Sequence, residues 1–354
     1  MPRRVSASVF AVVALLAVAA RWVAGTETQA LLELDFRDLS VFASNFTSSV
    51  ITPGPVNDII AEWAANRPVG QKQMAVVAGG AAADPASLGG AWTIASRTVK
   101  DAATKSSYRQ IVKDEIDFQL SIQSRTFDGA ISMRPNSEPV QLWSDYMSMV
   151  PPFLAYYGVV APNQSALDQA YQQCQLYRKY LRDPTTGLWK HVVLGSWQDN
   201  GLWATGNAWA AHGMTRVLAT IKNSRYGSSQ ASRVENLRQW TDEILAASFS
   251  KLAPSGLVPN YFDKPFTFSD PAASALLCAT TFRLASLGLS QTPTNIQAAI
   301  RIRQAVLSRI DSSTGWVNGC VDPIKWNVQT DQSPESLAFI LMMESAFRDF
   351  MAVA

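Results

Sequence analysis

Five glycines recur along the chain at a nearly constant interval, and each follows a segment in which apolar residues have helical spacing. The steps between them are 59, 58, 69 and 59 residues, for the glycines at positions 70, 129, 187, 256 and 315. A period of about 60 residues with two helices per unit predicts a repeated helical hairpin, and the chain has room for about five to six of them. Such hairpins need neighbours to cover their apolar faces. Because the units diverge in sequence but share a glycine at corresponding ends, we expect a closed ring of hairpins, an all-α (α/α)6 toroid.

Helical periodicity also predicts the individual helices. Strand signals are scarce, whereas apolar residues recur with helical spacing from Thr98 to Leu120. Further helices are predicted at about 165–182, 205–222, 230–248, 268–286, 294–309 and 334–352. The last one opens with Ser333 and Pro334, an N-cap residue followed by proline at the first helical position.

The amino-terminal residues predict export. Two arginines precede an apolar run from Val9 to Ala20, and small residues follow up to Gly25. This order is typical of a secretory signal peptide. We therefore divide the chain into a signal peptide at 1–25 and a single domain at 26–354. The apolar run is short for a membrane span, and an uncleaved anchor is the alternative.

Two sequons are consistent with the same route. Asn45 and Asn163 each begin an Asn-x-Ser/Thr triplet, the acceptor pattern for N-glycosylation in secreted proteins. The sequence thus predicts a secreted, extracellular glycoprotein with no membrane contact after signal cleavage.

Charge, cysteine and histidine content exclude several functional classes. A net charge of +2 gives no electrostatic footprint for nucleic acid or an anionic membrane. Three cysteines form at most one disulfide, such as Cys278 with Cys320, so the chain is not a disulfide scaffold. His191 and His212 are the only histidines and have no metal-ligand spacing around them, so we expect no metal site and no cofactor.

The glycine loops of a closed ring gather at one mouth, and tryptophans are frequent near them. Aromatic faces around a concave mouth suit sugar rings, which stack their C–H surfaces on indole. For any single tryptophan, a place in the core is the alternative. The residues concerned are Trp189, Trp197, Trp203, Trp209, Trp316 and Trp326.

One carboxylate lies in an unusually apolar stretch. Asp145 is surrounded in sequence by Trp143, Tyr146, Met147 and Met149. A carboxylate in apolar surroundings is costly unless it is hydrogen-bonded or protonated, and a protonated carboxyl is what a general acid needs. The alternative is that Asp145 caps a helix or pairs with a surface arginine.

Four segments carry a resemblance to a known family. They are residues 84–89 (Asp-Pro-Ala-Ser-Leu-Gly), 141–147 (Gln-Leu-Trp-Ser-Asp-Tyr-Met), 187–191 (Gly-Leu-Trp-Lys-His) and 203–211 (Trp-Ala-Thr-Gly-Asn-Ala-Trp-Ala-Ala). In this order and spacing they resemble the unsaturated glycuronyl hydrolases of the six-hairpin glycosidase group, especially the unsaturated rhamnogalacturonyl hydrolases. The start of the last helix, Ser333-Pro-Glu335, also fits. The resemblance covers most of the chain after the signal peptide.

The resemblance implies a glycoside hydrolase with an unusual reaction. The substrate's terminal uronic acid carries a C4–C5 double bond left by a polysaccharide lyase. An aspartate placed like Asp145 acts as general acid and base: it protonates this enol ether, water adds at C5, and the hemiketal opens and releases the aglycone. One carboxylate serves both proton transfers, so the carboxylate spacing of ordinary glycosidases does not apply directly. Asp84 matches the family's second aspartate, which binds the sugar or tunes the proton on Asp145.

The same resemblance implies the substrate-binding residues. His191 matches a family histidine at the sugar site, and Trp189 lies in the same motif. Trp203 and Trp209 match aromatic platforms of the pocket, and Asn207 matches a hydrogen-bond partner. The implied partner is an oligosaccharide with an unsaturated uronic acid at its non-reducing end, bound by a monomer.

Two departures from the family pattern concern the substrate. Where the family has histidine followed by a basic residue, this chain has Met133 and Arg134, and Thr205 replaces an arginine. That arginine is a natural partner for a uronate carboxylate, and Arg134 is a candidate to supply the missing charge.

The leading hypothesis is a secreted hydrolase that removes a terminal 4,5-unsaturated uronic acid from pectin-derived oligosaccharides. The departures also leave two alternatives open. One is a catalytically impaired, carbohydrate-binding member of the same fold. The other is a hydrolase of saturated glycosides that uses Asp145 and Asp84 as a pair.

Overall fold

The regular secondary structure of the described residues is almost entirely helical. The computed structural model describes residues 21–74, 81–134, 139–264, 266–289 and 292–353. Within these residues the helices, numbered here in chain order, are α1 (Arg21–Asp35), α2 (Gly54–Ala65), α3 (Gly89–Thr98), α4 (Ala102–Ser121), α5 (Tyr146–Val160), α6 (Gln164–Leu181), α7 (Ala204–Lys222), α8 (Ala231–Phe249), α9 (Pro271–Ser286), α10 (Pro293–Leu307) and α11 (Pro334–Met351).

Two short antiparallel strand pairs lie between helices. Strand β1 (Gln141–Trp143) pairs with β2 (Val192–Leu194), with Leu142 opposite Val193. Strand β3 (Cys320–Val321) pairs with β4 (Gln329–Thr330). Single 3-10 turns occur at Arg37–Leu39 and Pro85–Leu88. The strands do not form a layer of their own, and they serve to fix loops between helices.

The odd-numbered helices form a closed inner ring. Each of α1, α3, α5, α7, α9 and α11 contacts the next, and α11 contacts α1. The even-numbered helices pack outside: α2 and α4 on α3, α6 on α5, α8 on α7 and α10 on α9. Composition explains the two layers, because α9 buries every residue from Pro271 to Leu284, whereas α8 buries only one stripe. The predicted all-α toroid is confirmed.

All five glycines of the repeat lie in loops that lead from an outer helix to the next inner helix. Each has a positive φ, from +78° to +104°, a conformation that residues with a Cβ adopt only at a cost. The turns share hydrogen bonds, such as Gly187 N–H to Asp183 O at 3.0 Å and Gly315 N–H to Asp311 O at 2.8 Å. These loops therefore bring the N-termini of the inner helices to one end of the ring.

The helices predicted from periodicity agree with the structure to within about four residues, but four further helices were missed. Helix α5 contains Pro151 and Pro152, which hide a helical pattern in the sequence. Helix α1 overlaps the predicted signal peptide, whose boundary between residues 25 and 26 falls inside it. Val23 and Ala24 are buried. The positions up to residue 20 lie outside the described residues. No helix of the described segments is long and apolar enough to cross a membrane.

The three cysteines are buried and unpaired. Cys278 and Cys320, the pair considered for a disulfide, belong to α9 and β3. The Cys278 thiol donates a hydrogen bond to Ala299 O at 3.0 Å instead. The cysteines therefore act as small apolar core residues here.

A buried charge cluster joins three inner helices at the end of the ring opposite the glycine loops. The Arg283 guanidinium of α9 donates to Glu33 Oε2 of α1 at 2.9 and 3.1 Å, and it also pairs with Asp349 of α11 at 2.5 Å. Burial raises the pKa of Glu33, but the charge of Arg283 and the neighbouring His212 imidazole outweigh it and lower that pKa to about 2. His212 is buried, with its Nε2 3.8 Å from Glu33 Oε1.

Candidate active site

The inner helices surround a cavity of about 170 Å³ at the glycine-loop end of the ring. Several of its lining residues lie just before an inner helix or within its first two turns. The others come from β1, from the residue before β2, and from the loops before α3, before β1 and between β3 and β4. The lining residues are Trp22, Ala81, Asp84, Met133, Arg134, Trp143, Asp145, Met149, His191, Trp203, Trp209, Pro323, Ile324, Trp326 and Glu335.

Asp145 directly precedes helix α5 but does not cap it. Its side chain accepts no capping hydrogen bond from the first turn and is 17% exposed, facing the cavity. The Ser144 hydroxyl donates to Asp145 Oδ2 at 3.1 Å. Backbone pairing fixes the position, because Ser144 N–H donates to His191 O at 2.9 Å beside the β1–β2 ladder. The interpretation of Asp145 as a helix cap therefore does not hold.

His191 stands between two carboxylates. Its Nε2 lies 3.6 Å from Asp145 Oδ2, and its Nδ1 lies 3.1 Å from Asp199 Oδ2. Burial raises the pKa of Asp199, but hydrogen bonds from His191 and from the Tyr261 hydroxyl lower it well below the usual range. An ionised Asp199 accepts a hydrogen bond from the Nδ1–H of His191. This bond fixes the orientation of the ring, so that Nε2 faces Asp145. Asp199 and Tyr261 were missed because their link to His191 depends on loop pairing, with Val192 opposite Asp199.

Aromatic rings enclose His191 on three sides. The ring centres of Trp203, Trp326 and Trp143 lie 4.4, 5.1 and 5.6 Å from the imidazole centre. Trp197 stacks on Trp326 with an interplanar angle of 6°, and its side chain is 41% exposed at the rim. These rings offer flat apolar faces of the kind that bind sugars.

Two predicted substrate-binding residues lie behind the cavity wall, and this corrects the assignment. Trp189 is fully buried and does not line the cavity. The Asn207 amide is consumed by backbone: its Oδ1 accepts from Trp189 N–H at 2.7 Å, and its Nδ2 donates to Trp189 O and Trp203 O at 2.9 and 2.8 Å. Both residues hold the wall together. Of the other tryptophans considered for the mouth, Trp316 packs against the core instead.

The other six predicted residues surround the same cavity. Asp84, Asp145, Arg134, His191, Trp203 and Trp209 all line it. Arg134 is the only lysine or arginine among the lining residues, and its guanidinium lies 4.8 Å from the ring centre of Trp143. In the described part of the chain it has no ion-pair partner within 4.0 Å, since the salt bridges found there involve other residues. Thr205 is buried and donates to Asp270 at 2.8 Å, away from the cavity.

Glu335 and Trp22 are cavity residues that sequence reasoning did not assign to the site. Glu335 lies in the first turn of α11 and is 3% exposed. Its Oε2 accepts a hydrogen bond from the Trp22 indole N–H at 2.9 Å. Burial and, next, the charge of Asp145 raise the pKa of Glu335 to about 8. The sequence feature that could have indicated Glu335 was the predicted helix start at Ser333. Trp22 was missed because it was assigned to the signal peptide.

Charge in the cavity is balanced by backbone as well as by Arg134. Three carboxyl groups, those of Asp84, Asp145 and Glu335, share the walls. The N-termini of the inner helices point to this end, and their partial positive charges favour negative groups. Among the described residues no cluster of three or more His, Cys, Asp or Glu side chains is arranged to hold a metal ion. The geometry suits proton transfer on an anionic sugar.

Comparisons with known proteins agree with this geometry. Residues 90–247 match the family model described as Glycosyl Hydrolase Family 88. A comparison with curated proteins gives no match. Among solved structures, the chain is similar to a possible member of the GH105 family from Salmonella enterica subsp. enterica serovar Paratyphi A. The TM-score is 0.74 at 16% identity, and the similarity covers 94% of this chain and 83% of that one.

Two further structures show the same fold. A glycoside hydrolase of family 105 from C. acetobutylicum has a TM-score of 0.74 at 12% identity, covering 96% of this chain and 98% of that one. The unsaturated glucuronyl hydrolase of Bacillus sp. GL1 has a TM-score of 0.56 at 13% identity, covering 92% and 95%. The family match over residues 90–247 confirms the resemblance found in the sequence and the prediction of a glycoside hydrolase.

Proposed function

Taking the chain as a glycoside hydrolase of the family 88 type, we propose that it removes a terminal 4,5-unsaturated uronic acid from short pectin-derived oligosaccharides. The observation that carries the proposal is Asp145, which faces an aromatic-lined cavity beside an oriented histidine and Arg134, which has no ion-pair partner among the described residues. The solved relative from Bacillus sp. GL1 is named for acting on unsaturated glucuronyl groups.

In the proposed reaction, Asp145 acts first as acid and then as base. Its carboxyl donates a proton to C4 of the C4–C5 double bond, and the ring oxygen stabilises the cation formed at C5. The resulting carboxylate takes a proton from a water molecule as the water oxygen bonds to C5, which restores the acid. The hemiketal opens, and the aglycone leaves from C1. His191 Nε2, at 3.6 Å from Asp145 Oδ2, is placed to hold that water.

Arg134 is the proposed partner of the uronate carboxylate. It lines the cavity, its guanidinium lies over the Trp143 ring, and it provides the charge that Thr205 does not. A guanidinium binds a carboxylate through two parallel hydrogen bonds. Asp84, which directly precedes the 3-10 turn before α3, is the proposed sugar-binding carboxylate.

A second candidate is supported by Met133, which lines the cavity where the resemblance leads one to expect histidine. A methionine thioether is at best a weak hydrogen-bond acceptor. If that histidine were needed for turnover, the protein would bind unsaturated sugars without hydrolysing them.

A panel of disaccharides separates these functions. Each unsaturated galacturonyl or glucuronyl disaccharide is paired with its saturated counterpart, and loss of ultraviolet absorbance and release of reducing sugar are followed together. The proposal predicts loss of absorbance with the unsaturated substrates and no release of reducing sugar from their saturated counterparts. Binding without turnover would support the second candidate, and release of sugar from saturated substrates would instead support an ordinary glycosidase that uses Asp145 and Asp84.

For localisation, we propose export with removal of the leader before Arg21. A cut after Gly25 would delete Trp22, which hydrogen-bonds Glu335, together with the buried Val23 and Ala24. The intact mass of protein recovered from a culture medium tests this. We expect a first residue at or before Arg21, and a chain starting at Thr26 would contradict the proposal. Glycosylation at the exposed Asn45 is read from the same spectrum.

A further inference from the structure

Glu335 is a buried acid in the substrate cavity, and no cation of the described residues pairs with it. It is 3% exposed, and none of the salt bridges between described residues includes it. Its Oε2 accepts from the Trp22 indole N–H at 2.9 Å. The described residues provide no hydrogen-bond partner for Oε1, which leaves that oxygen for a molecule in the cavity.

The charged groups around Glu335 are mostly acidic. Asp145 at the start of α5, Asp270 at the N-cap of α9 and Asp322 after β3 each raise the pKa of Glu335, after the larger effect of burial. On the α1 side, the Trp22 N–H lowers it, and Glu27 and Glu33 are buried further along that helix. Asp84, Arg134 and His191 complete the titratable groups of the cavity.

Two opposing effects decide the charge of Glu335. The first turn of α11 favours an ionised carboxyl. Burial without a paired cation among the described residues disfavours it more strongly, because a buried carboxylate loses its hydration. Burial therefore dominates, and the pKa of about 8 leaves Glu335 mainly protonated at neutral pH.

We propose that Glu335 is a specificity-determining residue: as an uncharged carboxylic acid it donates a hydrogen bond through Oε1 to the sugar held beside Asp145, in an orientation set by Trp22. The inference rests on the proposed function and deepens it. A neutral acid contacts an anionic sugar without repelling it. Once Glu335 ionises, it loses the donor and places a second negative charge beside Asp145 and the uronate.

As a consequence, ionisation of Glu335 should weaken the binding of a uronate above neutral pH. We expect KM for an unsaturated uronyl disaccharide to rise as pH passes about 8 in the wild type. The methyl ester of the same substrate, which has no carboxylate, is expected to show a much smaller rise. Glu335→Ala removes the donor and raises KM by about 10-fold or more at neutral pH.

Two variants test the origin of this pH dependence. Glu335→Gln keeps a donor and cannot ionise, so it recovers part of the affinity lost in the alanine variant and shows no alkaline rise in KM. Trp22→Phe removes the indole N–H that lowers the pKa, so the rise moves to higher pH. An alkaline rise of the wild-type size in Glu335→Gln would overturn the inference, as would equal profiles for the acid and the ester.

Direct binding keeps this test separate from the test of the proposed function. Quenching of tryptophan fluorescence by galacturonic or glucuronic acid is measured at about pH 6.5 and about pH 9.5, on either side of the raised pKa. If no unsaturated disaccharide is turned over, the proposed function fails. The role of Glu335 then still stands if wild-type binding weakens at the higher pH and Glu335→Gln binding does not, and it falls if the two behave alike.

Discussion

At the level of single residues, the cavity combines several carboxyl groups with one cation. Arg134 lies over Trp143 and has no ion-pair partner among the described residues, while Asp84, Asp145 and Glu335 share the walls. A guanidinium left unpaired in a cavity is poised for an incoming anion, because it makes charge-assisted hydrogen bonds without breaking an existing salt bridge. The charge pattern thus supports a substrate with one carboxylate.

Replacing Arg134 tests this role. Arg134→Gln should raise KM for an unsaturated uronyl disaccharide by about 10- to 100-fold, because it removes a hydrogen bond to a charged group. The change in kcat should be smaller. Initial rates with the disaccharide and with its methyl ester give the comparison. The exposed Arg301→Gln on the outer helix α10 is the matched control. An equal effect on the ester would show that Arg134 does not bind the carboxylate.

Sequence patterns predicted which segments form the site better than which side chains face it. Asp145, His191 and Trp209 were placed correctly around one cavity. Asn207 lies one helical turn after Trp203, so spacing predicts a shared face, but its amide is spent on backbone groups. Glu335 is far from Asp145 in sequence, and only the closed ring brings the two together. Asp199 reaches His191 through a local loop pairing that residue spacing does not indicate.

At the level of elements, the five glycine loops determine where the inner helices begin. Their positive φ values set the turn from each outer helix into the next inner one. Gly187 and Gly256 have the same φ of +79° but different surroundings. A Cβ at Gly187 would lie 2.8 Å from Glu243 Cγ, whereas at Gly256 its nearest neighbour would be Ala305 Cβ at 3.6 Å.

This pair separates backbone strain from crowding. Gly256→Ala should cost about 1–2 kcal/mol through the left-handed backbone alone. Gly187→Ala should cost more, since Glu243 must also move away from its ion pairs with Arg178 and Arg182. Urea unfolding measures both. Equal losses of stability in the two variants would mean that the Glu243 side chain moves away from a Cβ at position 187 at no cost in free energy.

Burial alone does not decide which helices were predicted, because the fully buried inner helix α9 was found and the outer helix α2 was missed. Outer helices such as α4 and α6 were found within a few residues. Helix α5 buries nearly every residue and contains two prolines, so neither periodicity nor propensity indicates it. The first residues of helix α1, up to Gly25, were assigned to the predicted signal peptide, and the rest of the helix was not predicted.

At the level of the whole molecule, the ring closes where α11 meets α1. The Arg283 guanidinium of α9 joins both helices through Glu33 and Asp349, with Arg283 and Glu33 almost fully buried. Removing one partner of a buried ion pair leaves an uncompensated charge, which typically costs about 3–5 kcal/mol. This cluster fastens the first helix of the ring to the last.

Arg283→Met should therefore destabilise the fold by about 3–5 kcal/mol in urea unfolding. Arg238→Met, which breaks pairs within the surface of α8, should cost less than about 1 kcal/mol. Similar losses in both would contradict a special role for the cluster.

The pH dependence of stability gives a second readout. The pKa of Glu33 falls from an ordinary 4.5 to about 2 in the folded state. Its stabilising contribution is complete above pH 4.5 and is lost as pH falls towards 2. Arg283→Met should reduce the part of this pH-dependent loss of stability that comes from Glu33. Tm measured between pH 4.5 and about 2 in both proteins gives the comparison.

The proposed hydration reaction depends on one carboxyl group. Asp145→Asn keeps the shape of that side chain and removes its proton transfer, so loss of ultraviolet absorbance from an unsaturated uronyl disaccharide should slow by at least about 100-fold. The helical circular dichroism and the binding of galacturonic acid should remain. Turnover at a rate near that of the wild type in Asp145→Asn would contradict the account.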